Sequence, residues 1–227
     1  MKKFVGVILG IAIIFVLFSG CLQQIVPTNG GTGETDILGA KLGYLLNDTP
    51  SATVTGILVY KYNYYGILAD ATTGIYIKDI SSAGLNVGDK VTVTGTLYKD
   101  TYNGNLRMKD VIVVATETAA MVEPVTLNVA LNNSWLFDST GTTLDATSLA
   151  FWIYRFVTAK GTLTSLDTTG NKFELEYPID TGTATVTVYT YSAISTVTNV
   201  PATVTGYLAG YKYVWNLYPR TVDDIEF

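Results

Sequence analysis

The chain has 227 residues, 14 basic and 19 acidic side chains, a formal charge of −5 and no histidine. Without histidine, Ser-His-Asp and Cys-His nucleophile chemistry is excluded, and a single cysteine leaves no intrachain disulfide and no thiolate metal site. The acidic balance argues against indiscriminate binding to phosphate backbones.

The chain opens with Lys2 and Lys3, continues through a run from Phe4 to Phe18 that is apolar apart from glycines, and ends that run with the small residues Ser19-Gly20-Cys21. This is the layout of a secretory signal over residues 1–20. The apolar run is shorter than the roughly 20 residues of a spanning helix, and no positive stop-transfer cluster follows it. Removal of Lys2 and Lys3 takes the mature charge from −5 to about −7. The segment Leu17-Phe18-Ser19-Gly20-Cys21 resembles the lipobox of prokaryotic lipoproteins, with Phe18 standing where a small aliphatic residue is usual. The resemblance implies a lipid on Cys21, the membrane as a partner through that lipid, and a place on the outer side of the cell membrane. The alternative is an inert cysteine within an uncleaved apolar segment. Two sequons, Asn47-Asp48-Thr49 and Asn132-Asn133-Ser134, make Asn47 and Asn132 glycosylation candidates in an exported chain.

Residues 21–40 include LQQIVPTNGGTGE and read as a flexible tether. A first β module is predicted over 41–118, with strands at 53–62, 64–68, 74–79, 90–100 and 105–114, separated by turn signals such as Gly88-Asp89 and Asn103-Gly104-Asn105. A second module is predicted over 119–227, after the Glu123-Pro124 break, with strands at 151–166, 171–177, 184–191, 201–210 and 213–219. Residues 125–150 fit neither pattern and are expected to add a hairpin or helix that caps the second barrel. The order of features repeats at about 105 residues, too long for a solenoid, and marks a duplicated domain. Gly56, Gly95, Gly161 and Gly206 fall mid-strand at matching places, where a small barrel bends its long strands.

A strand with a central glycine, an aspartate turn leading into Gly-aliphatic-Tyr, and a Gly-Asp-Lys-Val-Thr-Val-Thr-Gly strand together resemble the OB-fold. It is most similar to OB domains of secreted and surface proteins, some of them appended to extracellular nucleases. The residues that carry this are Gly56, Asp70, Gly74, Ile75, Tyr76, Leu85, Gly88, Asp89, Lys90, Val91, Val93 and Gly95, then Gly161, Val204, Gly206 and Pro219 to Ile225. The resemblance implies an all-β chain of two tandem small five-stranded OB-fold-like barrels. It also implies a role in binding oligonucleotides, oligosaccharides or proteins.

Alternation puts Ile75, Ile77, Leu106 and Met108 inside the first barrel and Tyr76, Lys78, Arg107 and Lys109 outside. Aromatic faces beside cations stack on unpaired bases or sugar rings. Tyr62, Tyr64, Tyr65, Tyr76, Lys78, Tyr98, Arg107 and Lys109 are therefore the candidate ligand surface, for single-stranded nucleic acid or a glycan at the first module. The bland alternative is that tyrosine is simply a favoured strand residue. In the second module Phe173, Leu175 and Tyr177 face inward and Glu174 and Glu176 outward, a surface that repels phosphates. Its Tyr207, Tyr211, Tyr213, Trp215 and Tyr218 are sugar or protein contacts, or core. No catalytic residue, cofactor or metal is assigned, since Glu174/Glu176 read as a solvated face and Asp223-Asp224-Glu226 as the end of a strand. A competing expectation is self-association or contact with another envelope protein through flat Thr-rich strands such as 184–191.

Overall fold

The computed structural model describes residues 34–80 and 84–227. The signal, Cys21 and most of the expected tether lie outside the described residues, whereas the end of that tether is folded. Glu34–Thr35 (β1) pairs in parallel with the next strand, and Ile37–Asn47 forms a helix (α1). The helix begins where it does because the Asp36 side chain accepts the backbone N–H of Gly39, and it is held by full burial of Ile37.

The first barrel is built from β2 (Ser51–Tyr62), β3 (Tyr65–Ala69), β4 (Gly74–Lys78), β5 (Asp89–Asp100) and β6 (Asn105–Thr118). Its strands run in the order β2-β3-β4-β6-β5 and close through β5 against β2, with the one internal parallel pair at β4 and β6. After the two-residue β7 (Val125–Thr126), a 3-10 turn at Asn133–Trp135 and a helix α2 (Ala146–Trp152), the second barrel repeats the same plan. It uses β8 (Phe156–Ser165), β9 (Lys172–Ile179), β10 (Gly182–Tyr189), β11 (Val200–Tyr211) and β12 (Val214–Tyr218), closed by β11 against β8 and parallel at β10 and β12. A second 3-10 turn at Val222–Asp224 and the short β13 (Ile225–Glu226) finish the chain. Both barrels thus have OB-fold-like topology, as the sequence predicts.

Inward alternation holds where it was expected: Ile75, Ile77, Leu106, Met108, Phe173 and Leu175 are fully buried, and Tyr177 nearly so. Of the mid-strand glycines, Gly95 sits at a register shift between β5 and β6, which is a bulge that turns the strand. At Gly161 a Cβ would lie 1.9 Å from the Glu176 carbonyl oxygen, so only glycine lets β8 cross β9 there. One expectation fails at the start of the second barrel. Phe151, Trp152 and Ile153 belong to the end of α2 and its cap, with Asp145 capping the helix onto Ser148 N at 2.9 Å. A short apolar run reads equally as strand or buried helix, and the cap decides.

The described chain is one compact body with one continuous core. The barrels meet over a fully buried lysine. Lys41 of α1 donates from Nζ to Thr73 Oγ1 at 2.8 Å, to the Ala150 carbonyl at 2.9 Å and to the Ile153 carbonyl at 2.8 Å. The last two are carbonyls left open where α2 ends, the place a helix favours a cation. Burial pushes the Lys41 ammonium well below its ordinary pKa, while Asp70 draws it back up. Replacing Lys41 by Met keeps the packing and leaves these acceptors short of donors inside the protein. Lys41→Met is expected to lower the unfolding free energy by about 2–4 kcal/mol, read from the midpoint of a urea titration at unchanged slope.

Candidate functional site

Tyr154 links α2 to β8 with φ of 60°, a left-handed conformation that a bulky side chain rarely holds. Its N–H donates to the Leu208 carbonyl at 2.7 Å, and its own carbonyl lies against Gly74 of the first barrel, where a Cβ would stand 2.0 Å from it. The ring is thereby pushed onto the outer face of the first barrel. There it meets Tyr76, with centroids 5.9 Å apart, and its hydroxyl accepts the Nε–H of Arg107 at 3.0 Å.

Around this ring the structure gathers ten of the chain's sixteen tyrosines into one connected network. Tyr60, Tyr62, Tyr64, Tyr65 and Tyr76 come from the first barrel, and Tyr154, Tyr189, Tyr191, Tyr207 and Tyr218 from the second. Tyr62 and Tyr191 stack across the junction at 6.1 Å and 7°, Tyr65 and Tyr76 at 4.9 Å and 16°. The Tyr191 hydroxyl lies 3.3 Å from that of Tyr65 and 3.4 Å from that of Tyr207. Tyr60, Tyr76, Tyr154 and Tyr207 are buried, whereas Tyr62, Tyr64, Tyr189 and Tyr191 are between 41% and 51% exposed. The result is a rigid floor of rings under an exposed rim.

All eight residues predicted from sequence lie on this side of the first barrel. Register places Tyr65 beside Lys78, and Arg107 between Tyr76 and Tyr98. Arg107 sits 4.5 Å from the Tyr76 ring centre, and Lys109 is 5.8 Å from that of Tyr98. The expectation that Tyr76 stands open to solvent is wrong. It does point out of its own barrel, but at 8% exposure it is covered by Tyr154 and Tyr65. Arg107 is engaged as well, paired with Asp100 at 2.9 Å. Burial works against its charge, and the Tyr154 hydroxyl and Asp100 outweigh it, so its pKa rises. Lys61 donates to the Leu85 carbonyl. Of the cations on this face Arg107 and Lys61 are thus engaged, and Lys78 and the half-exposed Lys109 are the ones left to meet a phosphate.

Sequence reasoning named Tyr207 and Tyr218 of the second barrel as contacts or core but did not single out Tyr60, Tyr154, Tyr189 or Tyr191. Tyr191 was read only as part of a flat strand, and Tyr154 as a residue inside one; neither position carries a local signature. The acidic groups take plain roles: Asp224 binds the Arg220 guanidinium, and Glu174 and Glu176 are exposed on β9. Among the described residues no group of three metal-ligating side chains comes together. Asn47 and Asn132 are both exposed, and the Asn132 side chain caps the 3-10 turn at Ser134 N.

No protein-family model and no curated protein matches this chain. Among solved structures it is similar to a murine DNA-binding protein bound to double-stranded DNA, at 10% identity and TM-score 0.36, over 73% of this chain and 92% of that one. It is also similar to the HINb domain of p204, at 12% and 0.30, over 80% and 98%. A third is a Streptococcus pneumoniae multidomain protein with nucleic-acid-binding domains, at 10% and 0.21, over 74% and 73%. At TM-scores of this size the likenesses carry no argument about function, which has to come from the chain's own surface.

Burial raises the phenol pKa of Tyr60, Tyr65, Tyr76, Tyr154, Tyr191, Tyr207 and Tyr218, and that of Tyr177 to about 12, against an ordinary value of about 10. A raised folded pKa contributes stability that is complete below about pH 10 and is lost as pH climbs through the folded values. Lys41, with a lowered pKa, acts oppositely, its contribution being present above its unfolded value and lost on acidification; it stands against these phenols and that of Tyr44, which burial raises as well. Unfolding free energy measured by denaturant is expected to fall steeply from pH 9.5 to pH 11.5, and a flat profile would contradict burial of these rings.

Proposed function

We propose that this chain is a non-catalytic binding protein, held on the outer side of the cell membrane by a lipid on Cys21, that presents the tyrosine surface at the junction of its two barrels to an oligonucleotide, a glycan or a protein. The observation that supports it is the half-exposed rim of Tyr62, Tyr64, Tyr189 and Tyr191 on a floor of buried rings. Tyrosines already fixed by packing give contact area at little cost in side-chain entropy when a partner arrives. Of the three ligand classes a glycan fits the rim best. The nearby guanidinium is committed to Asp100 and Tyr154, and the chain is acidic, so a phosphate backbone meets little compensation.

A second reading, self-assembly in the cell envelope, is favoured by one observation. Among the described residues β6 has no partner on its outer side beyond Met108, and it exposes Ile112 at 67% and Val114 at 61%. The strand expected for this role, β10, stands in the same position: it pairs along its length with β9 on one side and with β12 only at Thr187 and Val188 on the other.

The chain from Leu22 onward, titrated by calorimetry with a neutral β-linked hexasaccharide and with single-stranded DNA and RNA of twelve nucleotides, separates the ligand classes. Tyr62→Ala and Tyr191→Ala are each expected to weaken the bound probe about five- to tenfold, with little salt dependence for the sugar and a steep slope for a nucleic acid. Equal binding by parent and variants removes the site. Lipidation is read separately, as a mass increase on Cys21 that Cys21→Ser abolishes.

A further inference from the structure

The turn that joins β5 to β6 and the turn that joins β11 to β12 lie side by side. The Asn105 side chain imitates a strand partner: its Nδ2 donates to the Gly210 carbonyl at 3.0 Å, and Gly210 N donates to its Oδ1 at 2.7 Å. Gly210 is required for the approach, since a Cβ there would stand 2.4 Å from the Asn103 carbonyl oxygen. The paired turns expose Tyr102 at 63%, Tyr211 at 50%, Val214 at 45% and Tyr213 at 37%, with Lys212 among them, its Nζ 5.4 Å from the Tyr211 ring centre. Neither turn carries a carboxylate; of those beside them, Asp100 is paired with Arg107, and Asp138, next to the Phe137 whose N–H donates to the Gly104 carbonyl, accepts from Thr140 and Thr142.

The second turn is also strained. Lys212 and Tyr213 have φ of 48° and 67°, the pair of left-handed residues that a two-residue hairpin asks for and that Asn-Gly supplies at little cost. Bulky side chains held in such a turn point to a role other than folding. The chain's entry adds a direction. Glu34 lies beside Thr53 and Thr53 beside Thr94, and from Thr94 the strand β5 runs on to the first turn. Because β1 runs parallel to β2 and so antiparallel to β5, the chain arrives at Glu34 from the end of the barrel that carries the turns.

We propose that the paired turns are a membrane-docking tip, in which Tyr102, Tyr211, Tyr213 and Val214 enter the headgroup region of a lipid bilayer and Lys212 reaches its phosphates. Tyrosine suits that boundary, with an apolar ring and a wet hydroxyl, and lysine extends its charge from an apolar stem. The remaining surface is acidic and is repelled by an anionic membrane, which leaves the tip as the face presented. The inference rests on the surface-anchored reading above: the dozen residues from 22 to 33 span at most about 40 Å, enough to bring a tip at the entry end down to the bilayer. Docking would fix the orientation that a tether alone leaves free.

Residues 34–227 form a self-contained body, so the chain from Leu22 onward serves as the test protein, floated with vesicles of equal parts phosphatidylcholine and phosphatidylglycerol. The parent is expected to float with the vesicles. The double variant Lys212→Asn/Tyr213→Gly relaxes the turn, so its melting temperature should rise while its floating fraction falls about fivefold. Tyr102→Ser should also reduce flotation, and Tyr62→Ala/Tyr191→Ala should leave it at the parent level. The proposal is overturned if the parent stays at the bottom of the gradient, if the turn variant floats as the parent does, or if the Tyr62/Tyr191 pair is what abolishes flotation. Failure of lipidation at Cys21 would show as a missing mass increase and leaves this result independent.

Discussion

Tyr154 holds its place against the preference of its own backbone. A left-handed aromatic residue costs about 1–3 kcal/mol, and it persists only where the surroundings over-determine it. Here they do. The backbone on both sides is tied to Leu208, the carbonyl rests against Gly74, and the hydroxyl is fixed by Arg107. Lys41 works from the other flank of the same segment, closing the end of α2 with its ammonium. Together they make the segment 150–155 a key set between the two closed barrels.

The consequence for function is geometric. Each barrel alone would present an ordinary scatter of strand tyrosines. With the barrels locked, rings from β2, β3 and β4 interleave with rings from β11, β12 and the end of β10, and buried members hold exposed members still. The same lock brings the two hairpin turns together through Asn105 and Gly210. The proposed ligand surface and the proposed docking tip then draw on both barrels and belong to neither one separately.

Much of the fold was legible in the sequence because barrel strands alternate with period two. Ile75 and Ile77, or Phe173, Leu175 and Tyr177, identify an inner face without reference to anything distant. Of the two helices, α1 was not legible, since it carries two glycines and follows a polar stretch; α2 was expected only as a hairpin or helix somewhere in 125–150, and the apolar run at its end, at Phe151, suits a strand as well as a buried helix end. The candidate site was legible by half. Alternation tells which side chains leave a barrel, so Tyr62, Tyr64, Tyr65 and Tyr76 of the first barrel were named, though Tyr60 beside them was not. It does not tell which outer face another element covers, so Tyr76 was taken as open and Tyr154 and Tyr191 were overlooked. Those contacts are set by a positive φ at Tyr154 and a missing Cβ at Gly74, and neither leaves a periodic trace.

The central claim is that the junction makes the barrels one cooperative body. Differential scanning calorimetry of the chain from Leu22 onward tests it most directly. One endotherm is expected, with calorimetric and van't Hoff enthalpies equal. Two resolved transitions, or a calorimetric enthalpy about twice the van't Hoff value, would show barrels that melt independently and would contradict the account.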